Sequence, residues 1–211
     1  PDCEKLRPLF GWMNTKTIKK TFENTTQCAR TPHGATILKK HCQSPCPALN
    51  VKRRDEVVAT DCVFSDTPAI DGGETCAQMF VGVDSLVTDI CGMKTEKQFA
   101  NTLTDNIRER GAMVRLLSDR AQVEINSRVV STLRALSIGQ WQSEPHQQHQ
   151  NPCGRRCQTV KTTANTLLDR SGSPAHTWLL CLMCVSVLLN LTFNWTLGGM
   201  PPQVAEGTTQ D

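Results

Sequence analysis

The chain has 211 residues, 23 Lys and Arg against 20 Asp and Glu, a formal net charge of +3 and eleven cysteines. That length buries a sizeable core, read here as one domain with an arm or tail. The cysteines, at 3, 28, 42, 46, 62, 76, 91, 153, 157, 181 and 184, are odd in number and follow no disulfide-framework spacing. With no signal-peptide pattern at the start they read as reduced thiols in an intracellular protein.

Charge is uneven along the chain. Residues 1–58 hold 11 Lys and Arg against 5 Asp and Glu, net +6, and the remainder holds 12 against 15, net −3. A basic arm on a near-neutral body suits either a nucleic-acid contact or a merely solvated segment. The chain opens on Pro1 rather than Met, as a piece of a longer product would.

Residues 1–50 give few strong period signals. TKTIKKTFENTTQCAR, 15–30, reads as a helix with Ile18 and Phe22 on one face. His33, His41, Cys42 and Cys46 invite a zinc reading, but zinc ligands come as two close pairs at fixed offsets, and these do not, so no zinc is expected. SPCPALNVKRRDE, 44–56, is Pro-punctuated and then basic, as a linker is.

At Val57 the pattern changes. VVATDCVFSD alternates and is rich in β-formers, so it reads as a strand. Pro68 and Gly72-Gly73 mark turns, and CAQMFVG and LVTDICG follow as two short strands joined by Val83-Asp84-Ser85. A helix is predicted over 94–111, with Thr95 and Gln98 as a capping box, Phe99, Leu103 and Ile107 on one face, and Gly111 as its stop. MVRLLSD is the fourth strand. SRVVSTLRALS, 127–137, is a second helix capped by Ser127, and IGQWQSE is a short fifth strand.

Pro152 suits the first turn of a third helix, with Val160, Ala164, Leu167 and Leu168 along its apolar face. The run WLLCLMCVSVLL, 178–189, is 12 residues long, against roughly 20 needed to span a bilayer, so it is read as a buried core helix and no membrane association is expected. Trp141 and Trp178 are read as core. Past Gly198 the composition predicts a loose tail. Three strands, helix, strand, helix, strand and two helices make an α/β sandwich on a mixed sheet, the element order of an RNase H-like core.

Candidate chemistry rests on acids at strand ends. Asp119 directly follows the apolar strand MVRLLS, which sets it at a sheet edge where a crevice can form; helix cap or turn residue is the bland alternative. Asp61 follows EVVAT, and Asp66 follows CVFS just before Pro68.

The segments EVVATD, the Gly72-Gly73 turn, CAQMFVG, LLSDRAQVE, QSEPHQQHQNPCGRR and TWLLCLMCVSVLLN occur in that order. From about Glu56 to Trp195 the chain thereby resembles the integrase catalytic core (DDE, RNase H-like) of Copia-type LTR retrotransposon polyproteins. Residues 4–55 resemble the segment that precedes it. The domains expected are a basic arm over 1–55, a core over 56–196 and a flexible tail over 197–211. The fold expected is a mixed five-stranded sheet flanked by helices, with an irregular basic N-terminal arm.

The resemblance implies DNA integration by a polynucleotidyl transferase. Such an enzyme holds two Mg²⁺ (or Mn²⁺) ions between three carboxylates, because in-line attack on a phosphodiester puts charge on both the entering and the leaving oxygen. Carried over by position, Asp61 and Asp119 would be catalytic metal ligands, with Asp66 the alternative to Asp61. The third acid would come from Asn151-Pro152-Cys153-Gly154-Arg155-Arg156, where Gly154 stands at the family's Glu position. No Asp or Glu occurs from Pro145 to Leu168, and Glu144 and Asp169 are poorly placed. Gly154 also costs about 1 kcal/mol of helix propensity relative to Ala.

An inactive, degenerate copy is therefore expected. Arg155, Arg156 and Lys161 would face DNA phosphates, or form only a solvated face. Cys157 departs from the family by standing among polar helix positions. His146 and His149 are possible DNA contacts in the Gln-rich loop. The partners implied are DNA and a second copy of the chain, in an intracellular setting that includes the nucleus. Two alternatives stay open: a non-catalytic DNA-binding module on the same fold, and a membrane-anchored cysteine-rich protein using the sequons at Asn24, Asn190 and Asn194.

Overall fold

The structure, a computed structural model, describes residues 2–25, 45–118, 126–142 and 152–208. Five strands form one sheet: β1 (Arg53–Phe64), β2 (Cys76–Gly82), β3 (Thr88–Met93), β4 (Ala112–Ser118) and β5 (Gly139–Gln142). Their order is β3-β2-β1-β4-β5, antiparallel from β3 to β1 and parallel from β1 to β5. This is the mixed five-stranded sheet the sequence predicts, with β1 central and four residues longer at its start than the alternation alone indicates.

The period-two alternation of β1 divides the core. Ala59 and Val63 point to one face, with Ala77, Met79 and Val81 of β2. Helices α5 (Pro152–Ser171) and α6 (Trp178–Leu191) cover that face through Cys153, Cys157, Val160, Ala164, Leu179 and Leu182. Val58 points to the other face with Phe80, where α3 (Phe99–Arg110) and α4 (Ser127–Ala135) bring Phe99, Leu103, Ile107, Val129 and Leu133. Phe80 and Phe99 stack there at 6.3 Å. Helices on both faces bury β2 along its whole length. Its one amide, Gln78, donates a short hydrogen bond to Thr60 Oγ1, which satisfies a polar group that would otherwise be stranded.

Two glycines matter for the close packing. Gly111 ends α3 at φ +107°, and a Cβ there would lie 2.9 Å from the Lys52 carbonyl oxygen, so only glycine turns the chain into β4. A Cβ at Gly92 would lie 2.6 Å from a Leu179 methyl, so α6 seats tightly on β3.

Both helix caps differ from expectation. A 3-10 turn, Glu96–Gln98, precedes α3, and the Thr95 side chain caps nothing. Gln98 instead folds back to accept from the Lys94 amide at 2.7 Å, one residue earlier than a capping box requires. At α4 the cap is Asn126, whose extended backbone lets Oδ1 accept from the Arg128 N–H at 2.7 Å, leaving Ser127 inside the helix.

The N-terminal segment is ordered where it is described. Helix α1 (Cys3–Leu6) and a 3-10 turn lead to α2 (Thr15–Asn24), whose Ile18 is fully buried. Thr21 Oγ1 accepts from the Phe193 amide at 2.8 Å, and the Arg170 guanidinium lies 4.6 Å over the Trp12 ring. The predicted helix with Ile18 inward therefore forms, and residues 2–25 dock beside α5 and α6 rather than running as an irregular arm. At the other end, composition predicts a loose tail, yet α7 (Pro202–Thr208) buries Ala205 and Glu206.

Helix α6 differs from a fully buried helix. Trp178, Leu182 and Val185 face inward, but Leu180, Met183, Val187 and Leu191 are exposed along the opposite side. Among the described residues no helix is long and apolar enough to cross a membrane. Trp178 is core, with Nε1 donating to the Thr67 carbonyl at 2.7 Å, whereas Trp141 on the edge strand β5 is 38% exposed.

Candidate active site

Asp61 sits three residues before the end of β1, between Ala59 and Val63, and so shares the sheet face covered by α5. It is half-buried, and its Oδ1 accepts from the Cys62 amide at 2.9 Å. Its cross-strand neighbour is Met79. Asp66 lies beyond the strand and is exposed. Asp119, His146 and His149 fall outside the described residues, as do His33, His41 and Cys42; Cys46 is exposed.

What α5 presents to this face follows from helical spacing. Cys153, Cys157, Val160 and Ala164 recur at intervals of four, three and four, and all are buried. Cys157 is therefore part of the apolar stripe and not, as the sequence reading has it, a cysteine among polar positions. Its Sγ lies 3.6 Å from Cys153 Sγ and 3.2 Å from Met79 Sδ. The neighbourhood of Asp61 is thus lined with sulfur.

Gly154 is exposed one step around the helix, and a Cβ built there meets nothing within 4 Å. Among the described residues, no three His, Cys, Asp or Glu side chains are grouped to hold a metal ion. Two Mg²⁺ ions demand a set of oxygen ligands. Among the described residues no such set is grouped, and α5 brings no carboxylate before Asp169, so a two-magnesium centre does not fit the described residues.

The basic residues divide. Arg155 is exposed and Lys161 half-buried. Arg156 turns inward: its Nε donates to Thr88 Oγ1 on β3 at 2.9 Å, and burial pulls the guanidinium down to about 10. It does not face solvent as a phosphate contact would. The side chain reaches β3 because it projects from the flank of α5, an orientation the run Arg155-Arg156 does not reveal.

Sequence reasoning missed a second site. Arg54 and Glu56 on β1 are 2% and 3% exposed and form a close ion pair. Glu56 also accepts from the Ser85 amide at 3.0 Å and the Ser85 hydroxyl at 2.9 Å. Glu206 of α7 lies 3.3 Å from both Arg54 and Arg110, and Arg110 pairs with Asp89 at 2.7 Å. Burial lowers the Arg110 guanidinium, but the hydrogen bonds and charge of Asp89 outweigh that and raise it. In sequence the only signal is Arg54 and Glu56 two apart on one strand face, and their partners are distant.

Cysteines on the α3 face are neutral. Burial, with the neighbouring Cys76, pushes the Cys62 thiol up to about 12, and burial with Asp89 pushes Cys91 up to about 11.

No family model matches the chain, and no curated protein sequence matches it. Solved structures do match. The catalytic core domain of BIV integrase aligns with a TM-score of 0.58 over 74% of this chain and 96% of its own, at 16% identity. The HTLV-2 integrase catalytic core domain in complex with magnesium aligns with a TM-score of 0.56 in its trimeric form and 0.55 in its dimeric form, each at 12% identity over 72% of this chain and 96% of its own. At such identities the likeness is one of fold, and the fold of this chain is that of retroviral integrase catalytic cores, an RNase H-like sheet with its flanking helices.

Proposed function

We propose that this chain is a Copia-type integrase relative that binds DNA and does not carry out strand transfer. The observation that supports this reading is the composition of α5. The helix that covers the Asp61 face presents Cys153 and Cys157 inward and Gly154 at its rim, with no carboxylate between Pro145 and Leu168.

On this reading Asp119 completes a pair of acids. Asp61 lies on β1, and in the sequence Asp119 directly follows β4, the strand parallel to β1. Two carboxylates can hold one Mg²⁺ or Mn²⁺ ion, but in-line displacement by two metals needs a third acid. Arg155 and Lys161 are the basic residues left to meet phosphates, in an intracellular setting with access to DNA. The exposed stripe of Leu180, Met183, Val187 and Leu191 supports a further part of the proposal, association with a second copy.

Two measurements test the reading. Duplex DNA binding by the full chain without metal should weaken steeply between about 50 and about 200 mM salt, and Arg155→Ala should lower the log–log salt slope by about 1. Salt-independent binding, or none, overturns DNA as the ligand. Strand transfer with Mg²⁺ should be missing from the unmodified chain and appear only with Gly154→Glu, a change for which the helix rim has room. Transfer by the unmodified chain overturns inactivity.

A further inference from the structure

Cys157 touches two other sulfur atoms, those of Cys153 and of Met79, and Met79 is the cross-strand neighbour of Asp61. Cys153 and Cys157 come from successive turns of α5, and Met79 comes from the centre of β2. The Cys157–Met79 separation of 3.2 Å is closer than the about 3.5–4.0 Å at which apolar side chains ordinarily rest. Cys153 and Met79 are fully buried and Cys157 is 2% exposed. We infer that Cys153, Cys157 and Met79 form a binding site for a soft monovalent metal cation of the copper(I) class. The inference stands apart from any DNA activity.

The donor set selects the metal. Thiolate and thioether ligands favour soft cations, whereas Mg²⁺ and Mn²⁺ require oxygen. Zinc prefers four ligands drawn from Cys, His, Asp and Glu, and among the described residues no three such side chains are grouped. A site of two thiols and one thioether instead suits the low coordination and low charge that copper(I) accepts.

Both separations made by Cys157 are close to what such a site needs. With metal–thiolate bonds of about 2.3 Å, three sulfurs around one ion stand about 4.0 Å apart. The observed 3.6 and 3.2 Å open to that by side-chain rotation of a few tenths of an ångström to less than one. Methionine, with three rotatable bonds, supplies the adjustment.

Charge also favours it. Binding exchanges two thiol protons for one cation: the ion takes two thiolates and the neutral thioether, two protons leave to solvent, and the site carries a net charge of −1. Cys153 lies in the first turn of the 20-residue α5, where the positive end of the helix dipole favours thiolate. Arg156, adjacent to Cys157 in the chain, has a buried Nη2 without a hydrogen-bond partner and offers a positive charge on the same sheet face.

The test uses the full chain, reduced and anaerobic, titrated with copper(I) held in a chromophoric competing chelator. The chain has other cysteines, so the reading is a difference between variants. Cys153→Ser with Cys157→Ser should remove one tightly held copper(I) per chain, while Cys46→Ser with Cys184→Ser, both exposed, should remove none from that tight class. Met79→Leu keeps volume and both thiols, and should weaken the tight class by at least about tenfold.

Copper X-ray absorption should report sulfur ligands only. If the double serine variant is misfolded, Met79→Leu and the sulfur ligation read by X-ray absorption decide the matter. Unchanged affinity in Met79→Leu, tight binding kept by the folded double serine variant, or nitrogen or oxygen ligands in the absorption spectrum would each overturn the site.

Discussion

Near its start β1 carries Arg54 and Glu56 into the interior, and near its end it carries Asp61 to a half-buried position beside sulfur. At the first place the charges are all paired, Arg54 with Glu56 within β1 and the rest across elements: β1, α3, β3 and α7 all contribute. At the second, among the described residues, the carboxylate accepts from the Cys62 amide and meets no cation. The contrast teaches what each region is for. A buried ion pair rarely adds net stability over an apolar substitute, but removing one partner strands the other, so such a network enforces one arrangement of its elements. A carboxylate left half-open and unpaired by a cation enforces nothing, and keeps its oxygens available.

The sharpest way to break the comparison is Arg54→Ala. It leaves Glu56 buried without its cation and should lower unfolding free energy by about 3–5 kcal/mol in a urea titration; a loss below about 1 kcal/mol would mean the network is not structural. Glu206→Gln keeps the shape of the contact but removes the charge between two arginines, and should cost about 1–3 kcal/mol by the same measurement. Asp61→Asn retains the oxygen that accepts from the Cys62 amide, so its unfolding free energy should change by less than about 1 kcal/mol. A large loss there would make Asp61 a structural residue and remove the contrast.

The smallest effect is a pH dependence. Cys62 ionises at about 12 and Cys91 at about 11 in the folded chain, against 9.0 for an ordinary thiol. The unfolded state therefore releases these protons first as pH rises. Their contribution is fully present below about pH 9 and is lost progressively towards pH 11–12. Alkylation followed by mass spectrometry at pH 8 should label exposed Cys46 and Cys184 well before Cys62 and Cys91.

The strands were readable because β-formers alternate and turn residues bracket them: CAQMFVG is β2 residue for residue. The helices were readable from period, but their caps were not. Asn126 and Ser127 are equally good capping residues, and only the backbone conformation chooses between them. What failed more broadly was long-range. Glu206 in a polar tail gives no local sign that two arginines await it, and Arg156 beside Arg155 gives none that it turns toward Thr88. Cys157 looked polar by its neighbours, although its spacing from Cys153 and Val160 already placed it on the apolar stripe. Around Asp61 the strand position was legible, while the sulfur beneath it depends on which face of α5 meets β2.

The contact of Glu206 with Arg54 also bears on how the protein is made. Arg54 stands at the second position of the first strand of the sheet, and one of its two acidic partners belongs to the last described helix. A nascent chain can collapse its central strands early, but until residue 206 has been synthesised the arginines of β1 and α3 have only Glu56 and Asp89 as counter-charges. Chains generally fold from the N-terminus as they emerge, and distant pairings close late. Completion of this domain is therefore tied to the arrival of α7, and a ribosome stalled before that helix would hold a core that is assembled but not locked.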